Sequence, residues 1–85
     1  MPGGTEIMSE IERIVAGNYS YWIIGITEDP KRRKQEYGNP TLWYDWDAVY
    51  ESSARNIEKY FLAKGMNGDV GGGILPHYVY ICWKS

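Results

Sequence analysis

The residues best suited to chemistry in this chain are Arg33 and Tyr37, four apart in the run Pro30-Lys31-Arg32-Arg33-Lys34-Gln35-Glu36-Tyr37. On a helix that spacing puts the guanidinium and the phenol on one face. The run Lys31-Arg32-Arg33-Lys34 also offers a local basic surface for phosphate contact. Just upstream, Gly25 interrupts a run of bulky residues and lets something approach the backbone closely. A strand with a gap in it, followed by a helix presenting Arg33 and Tyr37 together, makes one wall of a site. The plainer alternative is a strand, a turn and a helix with a solvated basic face.

Glu58 is the next candidate. It lies four after Ala54 and three before Phe61, inside the apolar arc of Tyr50, Ala54, Ile57 and Phe61. A carboxylate there must pair with a cation, bind a metal or sit at the rim of a cleft. Trp43, Tyr44 and Trp46 are too many rings for a plain exposed loop. Either they pack over the core, or they form a platform on which bases or another flat ligand stack.

The positioning elements can be read in chain order. Residues 1–4 are expected to fray. Ile7, Met8, Ile11, Ile14 and Val15 recur at helical spacing, which predicts an amphipathic helix near 6–16 covering one face of a sheet. Residues 19–27 read as a buried strand, with Trp22, Ile24 and Ile26 on one face and Tyr21, Ile23, Gly25 and Thr27 on the other. Asp29 caps and Pro30 opens a helix over 30–37, which Gly38 ends. Residues 38–46 read as a loop with a turn at Asn39-Pro40. Asp47 is placed to cap a helix over 47–64, closed by Gly65.

The glycine-rich segment 66–75 lacks the dinucleotide and P-loop spacings and reads as a flexible turn. The last strand alternates Tyr78 and Tyr80 with Val79 and Ile81. His77 has no companion ligand nearby and reads as a surface residue, while nothing adjacent activates Cys82, which reads as packing.

Composition bounds the rest. Eighty-five residues allow one domain, 1–85, with a modest core. The core is aromatic with many polar handles, because 8 Tyr and 4 Trp stand against 1 Phe. A net charge of −2 gives no support to strong nonspecific nucleic-acid binding, so such contact must come from local patches. A single cysteine excludes an internal disulfide. No apolar run is long enough to span a membrane and no signal-peptide pattern opens the chain. The expectation is a soluble, cytoplasmic protein with no membrane partner. The fold expectation is a small α+β domain in which helices flank an antiparallel β-sheet containing 21–27 and 78–81.

The run Ile23-Ile24-Gly25-Ile26-Thr27-Glu28-Asp29-Pro30 and the helix after it, to Tyr37, resemble the second half of the GIY-YIG nuclease module. In that family a Y-I-G strand leads through a short turn to a helix carrying a catalytic Arg, with a Tyr or His one turn later. Gly25, Arg33 and Tyr37 match in type and spacing, whereas Ile23 stands where the family has Tyr. Ala54-Arg55-Asn56-Ile57-Glu58 is similar to the family helix that carries a metal-binding Glu. The family's first strand, G-I-Y, belongs before Tyr21, where this chain has a helix. Tyr19-Ser20-Tyr21 is a vestige of it, or the strand is lost, or Tyr78-Val79-Tyr80-Ile81 fills its slot from the other end of the chain. In that permuted arrangement Tyr80 takes the place of the G-I-Y tyrosine.

The resemblance implies metal-dependent hydrolysis of a phosphodiester in DNA or RNA. Glu58 would hold Mg²⁺ or Mn²⁺ weakly, Arg33 would stabilise charge on the phosphate, and Tyr37 and Tyr80 would serve in proton transfer. Lys31, Arg32, Lys34, Trp43 and Trp46 would contact the nucleic acid. The missing tyrosine at Ile23 keeps a second reading open, an inactive relative that binds nucleic acid or a protein. Under either reading Arg33, Tyr37 and Glu58 are expected to cluster beside Gly25, which leaves room for phosphate or metal. In a purely structural site, Glu58 would be salt-bridged to Arg33.

Overall fold

The computed structural model describes residues 4–69 and 74–84; the expected fraying at 1–3 and the middle of the glycine-rich turn, 70–73, lie outside them. The chain is an α+β domain whose described elements run α1 (Gly4–Val15), a 3-10 turn (Tyr19–Tyr21), β1 (Trp22–Thr27), α2 (Pro30–Glu36), β2 (Trp43–Asp47), α3 (Glu51–Lys64), β3 (Asn67–Gly68) and β4 (Tyr78–Trp83). The strands form one sheet in the order β2-β4-β1-β3. β4 pairs antiparallel with both β1 and β2, and β3 adds a short parallel rung to β1.

The alternation of the strands sorts side chains to two faces. Ile24 pairs with Ile81 and Ile26 with Val79, and this face is covered by α1 and α3. Ile7, Ile11 and Val15 from α1, and Ala54, Ile57 and Phe61 from α3, complete the core there. The helical spacing seen in the sequence is thus the spacing of the buried stripe. Tyr50, counted in the same arc, is 68% exposed because it precedes the helix as its N-cap.

The opposite face carries Gly25 paired with Tyr80, and Ile23 paired with Cys82. Short α2 lies on this side. Asp29 caps it by accepting from the Arg32 N–H at 3.1 Å, and Pro30 occupies its first turn. Thr27, fully buried, accepts the Asp29 N–H at 3.0 Å and fixes the strand-to-helix turn. Gly38 follows α2 with φ +80°, the left-handed conformation that glycine adopts without strain.

Several expectations need correction. The expected loop 38–46 contains β2, an edge strand, because Trp43, Tyr44 and Trp46 supply strand-forming side chains opposite Cys82, Ile81 and Val79. Asp47 does not cap α3. It ends β2, and its Oδ1 accepts the Val49 N–H at 2.8 Å and faces His77 Nδ1 at 2.9 Å. His77 therefore has a partner that the linear pattern hid. The antiparallel pairing of β1 with β4 is as expected, and β3 adds a parallel rung that makes the sheet mixed.

Gly25 does not leave room for a phosphate or a metal. A Cβ there would overlap the Tyr80 ring and hydroxyl, so the gap in β1 is filled by a neighbouring side chain. Gly25→Ala is therefore expected to destabilise the fold by about 1–3 kcal/mol through overpacking. In a domain of this size that lowers Tm by roughly 4–8 °C per kcal/mol. A calorimetric melt matching the wild type would mean the Tyr80 ring does not lie over Gly25.

Candidate functional site

The Tyr80 side chain is fully buried, so its hydroxyl needs a partner inside the protein. It donates to Asp69 Oδ2 at 2.9 Å. Tyr37, at the C-terminal end of α2, donates to the same oxygen, and its hydroxyl lies 3.2 Å from that of Tyr80. Arg33, one turn earlier on the same helix face, reaches Asp69 Oδ2 through Nη1 at 3.1 Å. Three donors from two distant stretches of chain thus converge on one carboxylate oxygen. Charge-assisted bonds of this kind are about twice as strong as neutral ones.

Each donor is held by its own element. Arg33 and Tyr37 share a face of α2, and Tyr80 is fixed by the centre of β4 over Gly25. Trp43 from β2 stacks on Tyr80, ring centroids 4.6 Å apart and planes 8° apart. Tyr37 packs against both rings. Asp69 follows β3, which is anchored by the Asn67 side chain donating to the carbonyls of Ser20 and Trp22 at 2.8 and 3.1 Å.

The electrostatics follow from this geometry. Burial pushes the Asp69 carboxyl up, but the hydrogen bonds from Tyr37 and Tyr80 and the Arg33 charge outweigh it and hold the group below its ordinary range. Burial and the bond to Asp69 push the Tyr37 phenol up to about 12. Burial pushes Tyr80 higher still. Both phenols are therefore protonated donors at neutral pH. The Arg33 side chain is only 14% exposed. Its Nε lies 3.0 Å from Glu36 Oε1 but out of hydrogen-bonding alignment, and among the described residues it has no aligned acceptor.

Arg33, Glu36, Tyr37 and Asp69 line a cleft of about 270 Å³. Glu58 lines a different groove along α3, with Ser52, Arg55, Asn56, Lys59 and Leu62. Among the described residues Glu58 makes no ion pair, and Arg33 pairs with Asp69 and Glu36 instead. The Arg33–Glu58 bridge that a purely structural site would show is absent among the described residues, and Arg33 pairs with Asp69. Burial raises the Glu58 pKa, Arg55 opposes the shift and the Asp69 charge adds to it. Among the described residues, no three His, Cys, Asp or Glu side chains are grouped to hold a metal ion.

The remaining candidates scatter. Arg32 is neutralised by Glu28 at 2.6 Å and approached by Glu36 at 3.9 Å. Lys31 is exposed and Lys34 half-buried on the same short helix. Trp46 packs on the core from the opposite sheet face, so it does not form one platform with Trp43. Cys82 is buried and its thiol is pushed up to about 11 by that burial, in keeping with a packing role.

Asp69 was hidden in the sequence. It stands in a glycine-rich stretch with no helical or strand period to assign it a face. The only available signal was indirect: an arginine turned toward a sheet needs an anion. No helix among the described residues is long and apolar enough to cross a membrane. No protein-family model, curated protein or solved structure matches the chain.

The two carboxylates should pull stability in opposite directions with pH. An aspartate whose folded pKa lies below its unfolded value of about 3.9 stabilises fully above that pH, and the contribution is lost as pH falls further. A glutamate raised above its unfolded value of about 4.3 carries a cost at neutral pH that vanishes on protonation. Asp69→Asn should therefore lower Tm at pH 7, with the deficit shrinking below about pH 4. Glu58→Gln should raise Tm at pH 7, with the gain shrinking as the carboxylate protonates. Melts of both variants and the wild type across the acid range check this. A lowered Tm for Glu58→Gln at neutral pH would reveal a paired rather than an unpaired Glu58.

Proposed function

We propose that this domain is a GIY-YIG-like module that binds a nucleic-acid phosphodiester at Arg33, Tyr37 and Tyr80 and cleaves it with a divalent cation. The observation that carries the reading is the convergence of those three donors on a single anionic oxygen. A seat that holds one carboxylate oxygen this way has the charge and donor directions for a phosphoryl oxygen. The pairing of Tyr80 with Gly25 in the central strands supports the permuted arrangement, in which Tyr80 would take the place of the G-I-Y tyrosine.

Arg33 would neutralise charge on a non-bridging oxygen. Tyr37 and Tyr80, protonated at neutral pH, would act as hydrogen-bond donors to the phosphoryl group. The Trp43 ring, stacked on Tyr80, would keep water from one side of the phenol. Glu58 fits a weakly held hard cation, because it is a half-buried oxygen donor that makes no ion pair among the described residues. Mg²⁺ is commonly held by one or two carboxylates, with waters and substrate phosphate completing its shell. When bound, such an ion would polarise the phosphate and assist the leaving oxygen.

A second reading, binding without cleavage, is favoured by the placement of Glu58 in a groove apart from the Arg33 cleft. One set of measurements separates the two. Cleavage of single- and double-stranded DNA and RNA is assayed with Mg²⁺ or Mn²⁺, alongside binding at low salt. The nuclease reading expects metal-dependent cleavage that falls by about 10²–10³-fold in Arg33→Ala and is abolished in Glu58→Gln. Arg33-dependent binding without cleavage would establish the second reading. Binding that ignores Arg33 and Tyr80→Phe would reject both.

A further inference from the structure

We infer that Asp69 is a built-in competitor for the anion seat: its carboxylate occupies the place of an incoming phosphoryl oxygen and must leave before one binds. The inference rests on the reading of Arg33, Tyr37 and Tyr80 as an anion site, and adds a regulatory contact to it.

The donors are all committed to one atom. Arg33 Nη1, Tyr37 OH and Tyr80 OH each reach Asp69 Oδ2. An incoming phosphate group would face both a filled seat and the charge of the carboxylate in it. Two further roles for Asp69 fit less well. As a base it would have to take a proton from phenols that hold theirs tightly, while its own affinity for a proton is reduced. As a purely structural ion pair it would be expected to sit on firmly held chain, yet it follows a strand of only two residues.

The contact is also built to open. Asp69 follows a strand of two residues, Asn67–Gly68, whose ladder to β1 has two rungs at the sheet edge. Arg33, Tyr37 and Tyr80 instead sit on a capped helix and a central strand. Displacing Asp69 thus disturbs the most weakly held of the elements that meet at the site.

The test measures binding of inorganic phosphate to the full chain by phosphorus NMR, in wild type, Asp69→Asn, Asp69→Ala and Arg33→Ala/Asp69→Ala. Asp69→Asn keeps the size but removes the charge that holds the three donors, so it remains informative if Asp69→Ala unfolds. A seat free in about a tenth of molecules weakens apparent affinity about tenfold. Phosphate affinity should therefore rise by about that factor in both single variants and be lost in the double variant. Equal affinity in wild type and Asp69→Asn overturns the competition while leaving the anion site standing. Phosphate binding absent from every folded variant overturns the competition, and Arg33-dependent nucleic-acid binding then decides separately whether the anion site survives.

Discussion

A largely buried guanidinium and two phenols, one fully buried, cannot be left without an acceptor, and a single carboxylate oxygen serves all three. Much of the domain's geometry follows from that constraint. α2 must present Arg33 and Tyr37 inward, so its start is fixed by the Asp29 cap and the Thr27 bond. β1 must carry glycine opposite Tyr80, since any Cβ there would overlap the ring. β3, short as it is, must bring Asp69 to the sheet edge, and Asn67 secures it there by bonding two carbonyls across the gap.

The two faces of the sheet have divided their tasks. One is dry: α1 and α3 cover it with aliphatic side chains and Phe61, and little there is polar. This face supplies most of the apolar burial, the dominant favourable term in folding. The other is covered by a helix of seven residues, which buries none of them fully. That leaves Arg33, Tyr37 and Asp69 lining a cleft, with the fully buried Tyr80 bonded to Asp69 and stacked on Trp43. The stable face lets the other tolerate a concentration of polar groups that would be costly in a core.

The acidic balance of the chain and its local charges are compatible once the arginines are followed individually. Arg32 pairs with Glu28, and Arg33 with Asp69 and Glu36. The four-residue basic run therefore presents less free charge than its sequence suggests. Recognition of a phosphodiester by this surface would depend on a few placed donors rather than on a broad field. Glu58 belongs to neither set: among the described residues it makes no ion pair, and burial raises its pKa against the opposing charge of Arg55.

The sequence by itself determined the local structure. The stripe of Ile7, Ile11 and Val15, the Asp29-Pro30 helix start, the Arg33–Tyr37 spacing and the alternation of β1 and β4 are periodicities of neighbouring residues, and each is present in the fold. A break such as Gly25 was legible as a close approach, but what approaches was not, because Tyr80 arrives from a strand more than fifty residues away. β2 was missed because an edge strand needs pairing with β4 to be a strand at all. Asp69 was missed for the same reason in stronger form. A residue in a glycine-rich turn has no period, so nothing local says which way it faces. Only the parallel register of β3 on β1 carries its carboxylate to the donors. The partner of Arg33 was a long-range fact, and Glu58, better placed by its helical arc, was the wrong carboxylate for that bridge.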